Sequence, residues 1–574
     1  MKVRLAKNAG FCPGVRRALN LVLDTIKRRD GPIYTYGSLI HNPQVIELLR
    51  KKGVGILRDT GRIEKDATVI IRSHGVSPEE YERIRSKGVR ICNATCPKVS
   101  RVQAIVRRYA KEGYVIAIIG DKGHAETKGL LGYAGGKGIV VATDRDVEDI
   151  PKGAKICVVA QTTQAREKFN RLSKRIEEKS SETLVFDTIC DYTSERQREA
   201  LKLSEKVEAM VVVGGYNSAN TKRLAQLLKE KGVPTFHIET EEELDMERLR
   251  DFKTVGVTAG ASTPNWLIQR VVARLKEVEG RNILYYLSRI MGFLVWSNIY
   301  VAAGAASLSY ATSRLQGFEP RILFEWIAAS YIFGMHLLNH FTDWDAVGFN
   351  EPERVRFYTK YKRELIGIGI ASTLLSLFFS FWSGLWLGVF VLFISLLGLS
   401  YRVNIIPKSW RFRYRRLMDI PASKDFLLAL AWAVVLVFLH LLSVKGRLSP
   451  ATFIAFGFAF VLAFTRSLLF SIKDFEGDRM IGRETVPIII GLENTKKLIT
   501  SLISILTLTL LLSAGFGLIS PLGYWLILPL GYIFILTYLH YNKVLSPGVG
   551  WEIIVDGTFL LSIAIAYGWY KGFF

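Results

Sequence analysis

Residues 274–296 read RLKEVEGRNILYYLSRIMGFLVW, and within this stretch the chain changes from a charged sequence to an apolar one. The 574 residues are too many for a single hydrophobic core. Residues 1–282 mix charged and apolar residues as soluble α/β proteins do, whereas later runs such as LAWAVVLVFLHLL have no polar face. We therefore predict a soluble domain at 1–282 and a membrane domain at 283–574.

About nine apolar segments follow this boundary, each near the ~20 residues that a helix needs to cross a bilayer. They lie at 285–309, 322–341, 364–384, 385–402, 426–445, 451–472, 497–519, 521–541 and 551–570. If residues 1–282 are cytoplasmic, every second connection returns to the cytoplasm. These connections hold about 18 Lys and Arg against about five on the other side, as the positive-inside rule requires. The sequence predicts an all-α polytopic bundle of about nine transmembrane helices in the cell inner membrane.

The formal net charge of the chain is +24, and its isoelectric point is near 9.7. In a membrane protein such an excess reflects basic loops at the anionic cytoplasmic leaflet, and no nucleic-acid recognition motif accompanies it here. We therefore expect a lipid bilayer and no nucleic acid among the partners.

The chain opens on a strand-like KVRLA run without an apolar stretch of signal-peptide length, which predicts a cytoplasmic N-terminal domain.

Two acidic clusters, NHFTDWD at 339–345 and KDFEGDR at 473–479, fall in the predicted cytoplasmic connections. Asp474 and Asp478 are spaced i, i+4, as are Asn339 and Asp343, so each pair would share one face of a continued helix. Carboxylates at membrane depth are usually functional, and hard oxygen ligands suit Mg²⁺ bridged to a diphosphate. The alternative is a pair of solvated acidic loops.

The run KDFEGDRMIGRETVP, followed by IIIG, resembles the second motif of the UbiA family of intramembrane prenyltransferases. The first motif departs from the family pattern, because His340 and Val347 stand where acidic or amide residues are expected; Asp345 and Glu351 are the candidates to compensate. The resemblance implies a helical bundle in which Mg²⁺ on Asp343, Asp474 and Asp478 binds a prenyl diphosphate. Asn339 would bind the same substrate, and its leaving diphosphate would be stabilised by Lys473, Arg479 and Arg415. The acceptor is not specified.

Three cysteines stand in distinctive contexts in the soluble half: AGFCPGVRRAL around Cys12, NATCPKVSRV around Cys96 and DTICDYTSERQ around Cys190. Their wide separations match no compact zinc pattern, and cytoplasmic thiols stay reduced. Cys12 and Cys96 each precede a proline and an apparent helix, whose N-terminus would favour the thiolate. Thiolates bind iron-sulfur clusters, zinc or copper(I), and buried structural thiols are the alternative.

These contexts, together with GSLIHNPQV, IRSHGVSP, GHAETKG, QTTQ, GYNSANTKRL and TAGASTP in that order, resemble 4-hydroxy-3-methylbut-2-enyl diphosphate reductases, the IspH or LytB family. The resemblance covers about residues 1–280. It implies an α/β fold of three lobes, a trefoil, in which each lobe offers one cysteine. Cys12, Cys96 and Cys190 would then hold a [4Fe-4S] cluster with one iron open to substrate.

The same resemblance implies the substrate site and the reaction. The implied substrate-binding residues are His41, His74, His124, Ser218, Asn220 and Ser262. Glu126 would donate a proton, assisted by Thr162 and His124, while Ala219 replaces a serine common in the family. The substrate would be 4-hydroxy-3-methylbut-2-enyl diphosphate and the products isopentenyl and dimethylallyl diphosphate, as in the last step of the methylerythritol phosphate pathway. No flavin or nicotinamide fingerprint is present, so reduced ferredoxin or flavodoxin would supply electrons.

A different class of function is an iron-sulfur redox sensor that regulates a membrane transporter or scaffold. A sensor of this kind would have lost its catalytic residues, whereas this sequence retains Glu126 and the residues that would contact the phosphates. The sequence therefore favours a bifunctional isoprenoid enzyme.

Overall fold

The computed structural model describes residues 1–28, 31–61, 63–277, 283–341, 351–401, 416–541 and 548–573. The chain divides into two compact units, Met1–Gly280 and Arg281–Phe574. The predicted boundary at residue 282 lies outside the described residues.

The first unit contains three parallel sheets of four strands each, ordered β1-β12-β10-β11, β3-β2-β4-β5 and β7-β6-β8-β9. The strands are β1 Lys2–Leu5, β2 Ile33–Tyr36, β3 Val54–Leu57, β4 Thr68–Ile71, β5 Arg90–Asn93, β6 Val115–Ile119, β7 Gly138–Val141, β8 Lys155–Ala160, β9 Glu182–Phe186, β10 Ala209–Val213, β11 Thr235–Ile238 and β12 Thr254–Ala259. Central strands such as β10, AMVVV, are buried throughout because helices cover both faces of a parallel sheet. The α/β prediction for this half is confirmed.

Helices connect these strands, because parallel neighbours need a crossover. They are α1 Pro13–Arg28, α2 Pro43–Lys51, α3 Pro78–Arg85, α4 Pro97–Lys111, α5 Ala125–Tyr133, α6 Arg166–Glu177, α7 Asp191–Ser204, α8 Ala219–Glu230, α9 Met246–Leu249 and α10 Asn265–Lys276. Most of the motifs quoted above lie in loops that leave the carboxyl end of a strand and enter a helix. In parallel sheets these ends share one edge, where ligands generally bind.

The second unit is helical throughout its described residues. Its helices are α11 Ile283–Trp296, α12 Ile299–Leu315, α13 Ile322–Phe341, α14 Pro352–Lys360, α15 Lys362–Ser383, α16 Leu385–Ser400, α17 Ser423–Ser443, α18 Pro450–Lys473, α19 Phe475–Ile481, α20 Val486–Ile490, α21 Leu492–Gly515, α22 Leu522–Trp525, α23 Ile527–Tyr541 and α24 Val549–Tyr570. Its core is formed by apolar side chains from nearly all the long helices.

Within the described residues, seven stretches are long and apolar enough to cross a membrane, and the pair Tyr286–Trp296 and Ile299–Leu315, bent by 66°, makes an eighth if it is one span. The remaining predicted segment forms α16, whose 16 residues fall short of the ~20 needed. The prediction of an all-helical second unit with many candidate membrane spans is confirmed, whereas the count of about nine spans is not confirmed.

Large aromatic side chains are exposed at one end of this bundle. Trp326, Trp382, Trp386, Phe453 and Phe516 are all more than 60% exposed and lie near helix ends. If consecutive long helices run in opposite directions, the helix ends near these aromatic residues lie opposite to the helix ends that carry Asp474 and Lys424. Aromatic side chains concentrate at membrane–water interfaces, and the position of these five suits an interface remote from the acidic cluster.

Candidate functional site

The three cysteines occupy equivalent positions, each after a strand of a different sheet and at the start of a helix. Cys12 follows β1 and directly precedes α1, Cys96 is the N-cap of α4 after β5, and Cys190 is the N-cap of α7 after β9. The sequence indicated a helix start at Cys12 and Cys96 through the following proline. It gave no such signal at Cys190.

Backbone amides at the helix starts face the cysteine sulfurs. The Val15 amide donates to Cys12 Sγ at 3.4 Å, and the sulfurs of Cys96 and Cys190 also accept from amides of their helices. Nevertheless, burial raises the pKa of Cys96 and Cys190, and these amides only oppose the increase. The helix amides therefore act in the predicted direction, toward the thiolate, but at Cys96 and Cys190 the effect of burial is larger. A cation bound to these sulfurs would displace the thiol protons.

Gly14 makes room for the sulfurs. A Cβ at Gly14 would lie 2.6 Å from Cys96 Sγ and 3.8 Å from Cys12 Sγ. All five cysteines are free, and Cys12, Cys96 and Cys190 line one cavity. Three soft sulfur donors, one from each sheet, line one cavity, and other residues form the rest of its wall. This arrangement fits an iron-sulfur cluster.

Arg196 on α7 is a buried cation that sequence reasoning missed. Its guanidinium donates to the carbonyls of Gly10 at 2.8 Å and Ala259 at 3.2 Å, in the segments that carry Cys12 and Ser262. It interacts electrostatically with Cys12 and Cys190, while burial lowers the pKa of Arg196. The only sequence signal was its place six residues after Cys190.

Three histidines converge on the same cavity. The ring centroids of His41 and His74 are 4.6 Å apart, those of His74 and His124 are 5.5 Å apart, and one nitrogen of each lies within 4.8 Å of the others. Burial lowers the pKa of His41 to about 4 and also lowers the pKa of His74 and His124. The lowered pKa values favour the neutral imidazole at all three positions.

Several polar atoms beside this triangle lack partners among the described residues. They are His41 Nε2, His74 Nδ1 and both side-chain atoms of Asn220. Ser218 caps α8 through the Thr221 amide at 3.4 Å, and Ser262 Oγ donates to the His41 carbonyl at 3.1 Å. Since buried polar atoms are normally hydrogen-bonded, this wall suits a polar ligand.

Glu126 and Thr162 form a tight pair in the cavity. The Thr162 amide donates to Glu126 Oε1 at 2.8 Å, and the Thr162 hydroxyl donates to Oε2 at 2.9 Å. Burial raises the pKa of the Glu126 carboxyl to about 7, although both hydrogen bonds from Thr162 lower it. A carboxyl with that pKa can hold or release a proton near neutral pH.

In the second unit, the helix does not continue through the second acidic motif as predicted. α18 ends at Lys473, Asp474 is the junction residue, and α19 begins at Phe475. The Asp478 amide still donates to the Asp474 carbonyl at 2.9 Å. Asp478 is fully buried, with Lys424 Nζ at 2.9 Å and Arg483 at 3.7 Å. Sequence reasoning missed Lys424.

Lys473 is held in a buried network of alternating charges. Its Nζ contacts Glu351 at 2.5 Å and Glu552 at 3.1 Å, and Arg354 bridges the same two carboxylates at 2.5 and 2.6 Å. Glu351, a candidate to compensate for the first motif, therefore pairs with cations in this structure. Sequence reasoning missed Arg354 and Glu552, which lie outside the motifs.

The remaining predicted residues of this half are placed as follows. Asn339 and His340 lie at the last turn of α13, and Arg479 is half-buried on α19. Asp343, Asp345, Val347 and Arg415 lie outside the described residues.

Comparison with known proteins divides the chain in the same way. Residues 3–276 match the family model described as LytB protein, and residues 299–563 match the UbiA prenyltransferase family. Curated proteins named 4-hydroxy-3-methylbut-2-enyl diphosphate reductase are similar to the first unit. That of Geobacter sp. (strain M21) is 44% identical over 279 residues, 49% of this chain and 98% of its own. That of Aquifex aeolicus (strain VF5) is 44% identical over 278 residues, 48% of this chain and 96% of its own.

Solved structures match both halves. A structure of (E)-4-hydroxy-3-methyl-but-2-enyl diphosphate reductase is 44% identical and covers 48% of this chain and 100% of its own, with a TM-score of 0.39. A UbiA homolog from Archaeoglobus fulgidus bound to DMAPP and Mg²⁺ is 18% identical and covers 48% of this chain and 99% of its own, with a TM-score of 0.35.

Proposed function

The chain belongs to the 4-hydroxy-3-methylbut-2-enyl diphosphate reductase (LytB) family through its first unit and carries a UbiA-family domain in its second, and from this we propose a bifunctional isoprenoid enzyme. The first activity is reductive dehydroxylation of 4-hydroxy-3-methylbut-2-enyl diphosphate to isopentenyl and dimethylallyl diphosphate. The second is Mg²⁺-dependent transfer of a prenyl group from a prenyl diphosphate.

The convergence of thiols, histidines and Glu126 on one cavity carries the reductase proposal. Cys12, Cys96 and Cys190 would hold a [4Fe-4S] cluster, which supplies the electrons for the reduction when bound. His41, His74, Ser218, Asn220 and Ser262 bind the diphosphate, in keeping with the unpartnered atoms on that wall.

Glu126 supplies a proton to the leaving hydroxyl group. Two electrons and two protons enter, the allylic C–O bond breaks, and the oxygen leaves as water while the carbon skeleton gains one hydrogen. Thr162 keeps the Glu126 carboxyl facing the cavity through two hydrogen bonds. His124 lies beside it, since the Glu126 amide donates to His124 Nδ1 at 3.2 Å. A redox sensor would have no use for a proton donor poised in this way.

The test is an anaerobic assay of cluster-reconstituted full-length protein with 4-hydroxy-3-methylbut-2-enyl diphosphate and a reduced dye. Wild type should oxidise the dye, Cys96→Ala should not, and Cys92→Ala, on β5, is the matched thiol control. An intact cluster spectrum without dye oxidation would reject the reductase and favour the sensor.

In the membrane unit, Asp474 and Asp478 would bind Mg²⁺ together with Asp343. Lys424 Nζ lies 2.9 Å from Asp478, one of the proposed Mg²⁺ ligands. We therefore assign Lys424, together with Arg479, Asn339 and Lys473, to the diphosphate of the prenyl donor. Such cations stabilise the negative charge that develops on the leaving group, and the bundle excludes water from the allylic cation.

Binding of radiolabelled geranyl diphosphate to the full chain tests this second activity. Binding should require Mg²⁺ and be lost in Asp478→Asn, whereas Glu493→Gln, an exposed acid on α21, should bind like wild type. Equal binding by Asp478→Asn would reject this metal site.

We further place the chain in the inner membrane with its first unit in the cytoplasm. Two observations support this proposal: the exposed aromatic residues at the bundle end remote from Asp474, and the excess of Lys and Arg in the sequence of the predicted cytoplasmic connections, as the positive-inside rule requires. Reduced ferredoxin or flavodoxin would then reach the first unit. Protease added to inside-out vesicles, but not to right-side-out vesicles, should cleave that unit.

A further inference from the structure

The loop from Gly214 to Ser218, between β10 and α8, brings two of the proposed diphosphate-binding residues to the cavity. Ser218 at its end and Asn220 in the first turn of α8 are each 4% exposed, and both side-chain atoms of Asn220 lack partners among the described residues. Ala219 between them offers no hydroxyl group to a ligand. Binding at this wall therefore depends on how well the remaining groups are placed before the ligand enters.

The inner side of the loop packs closely against the segments that carry His41 and Ser262. A Cβ at Gly215 would lie 2.6 Å from the His41 carbonyl oxygen, and a Cβ at Gly214 would overlap Thr263 Oγ1. The Ser262 hydroxyl donates to the same His41 carbonyl at 3.1 Å. The two glycines thus let three parts of the proposed diphosphate site approach one another, and an outward movement of the loop would separate them.

The outer side of the loop is held by Tyr216, Glu239 and Glu243, which we call the outer latch and which do not line the cavity. The Tyr216 amide donates to Glu239 Oε1 at 2.6 Å. The Tyr216 hydroxyl donates to Glu243 Oε2, and the Glu239 amide donates to the same oxygen at 3.1 Å. The outer latch therefore ties the loop to the residues that follow β11, the strand that pairs with β10.

Two carboxylates beside the proposed diphosphate loop need a physical reason, because their negative charges oppose the binding of an anion. Tyr216 is 43% exposed, so burial of its ring is not enough to explain the arrangement. Burial and the carboxylates of Glu243 and Glu239 raise the pKa of Tyr216 to about 12, which keeps its hydroxyl a donor at neutral pH. The two carboxylates supply acceptors that fix Tyr216, two residues before Ser218.

Resting on the proposed reductase activity, we infer that Tyr216, Glu239 and Glu243 are positioning residues for the substrate diphosphate. They lie outside the cavity and act through the loop. The outer latch holds the loop in its binding position before the ligand enters, so that less binding free energy is lost in ordering Ser218 and Asn220. Its effect is on affinity for the diphosphate and not on the chemical step.

The test measures full-length, cluster-loaded variants in two ways: binding of inorganic pyrophosphate by calorimetry, and the KM and kcat of the reductase. Glu239→Ala removes the acceptor of the Tyr216 amide, so it should weaken pyrophosphate binding and raise KM about tenfold, with kcat within about twofold of wild type. Glu239→Gln removes the charge but keeps an acceptor oxygen, so its affinity should equal or exceed that of wild type.

Tyr216→Phe removes a single oxygen atom and should weaken pyrophosphate binding about fivefold. This variant decides the question if Glu239→Ala does not fold. Glu205→Ala is the matched control, because it breaks a surface ion pair with Lys231 at the far ends of α7 and α8 without touching the loop. It should bind pyrophosphate like wild type.

Three results would overturn the inference. Pyrophosphate binding that is unchanged in both Glu239→Ala and Tyr216→Phe would show that the outer latch does not act on the diphosphate. Equal losses in Glu239→Ala and Glu239→Gln would show that the charge matters and the hydrogen bond does not. A fall in kcat as large as the rise in KM would show support of the whole site. Because pyrophosphate binding needs no turnover, wild type that binds pyrophosphate without reducing substrate would reject the reductase alone, and the binding data would still decide on the latch.

Discussion

Burial raises the pKa of Glu126 and the hydrogen bonds from Thr162 lower it, and this balance makes a pH prediction possible. Because the pKa of Glu126 is about 7, a proton donor at this position is lost as pH rises through that value, and reductase turnover should fall on the alkaline side. Thr162→Val removes a hydrogen bond that lowers the pKa, so the alkaline limb should move up by about one pH unit. Thr162→Ser should restore the wild-type profile. An unmoved limb in Thr162→Val would refute this account.

The histidine triangle predicts proton uptake on ligand binding. Burial lowers the pKa of His41, His74 and His124 and so favours their neutral forms, whereas a bound diphosphate favours their charged forms. Binding of inorganic pyrophosphate should therefore take up protons at pH 7 and weaken as pH rises. Calorimetry in buffers of different ionisation enthalpy measures this uptake. It should drop in His74→Asn but not in His237→Gln; unchanged uptake in His74→Asn would contradict it.

Arg196 should influence the electrochemistry of a bound cluster. Arg196→Met removes a buried positive charge near Cys12 and Cys190 and leaves two carbonyls without a donor. Reduction adds negative charge, so the reduction potential should become more negative, by roughly 60 mV for a tenfold change in a one-electron equilibrium. Potentiometric titration with EPR detection measures the shift, and Arg196→Lys should keep most of the wild-type potential. A potential unchanged in Arg196→Met would exclude this role.

At the scale of single elements, the start of α1 should tolerate no side chain at its second position. A Cβ at Gly14 would overlap Cys96 Sγ, so Gly14→Ala should lose iron and the cluster absorbance after reconstitution while the fold persists. Gly129→Ala on α5 is the matched control, because a Cβ there meets only ordinary contacts from 3.8 Å outward. Full iron content in Gly14→Ala would show that the sulfurs move apart on loading.

Helices and strands were predictable from the sequence where a single local pattern of residues determines them. Buried runs such as AMVVV predict a strand of a parallel sheet, and apolar runs of about 20 residues predict the long helices. The break at Asp474 was not predictable, because the spacing of Asp474 and Asp478 also fits an unbroken helix. Lys424, Arg354 and Arg196 escaped notice for a related reason. Their importance comes from partners far along the chain, and no local pattern records those partners.

At the scale of the whole molecule, the two units should respond to ligands separately. Each has its own core, and effects at distant sites without shared partners generally add. Geranyl diphosphate with Mg²⁺, at about 100 times its Kd, should stabilise the helical unit by about 2.7 kcal/mol and leave the α/β unit unaffected. Calorimetry of the full chain should then show two transitions, of which only one moves. Asp478→Asn should abolish that shift, whereas Cys96→Ala should preserve it. If both transitions moved together, the units would be thermodynamically coupled, and their fusion would serve communication between the two sites rather than placement of both activities at one membrane.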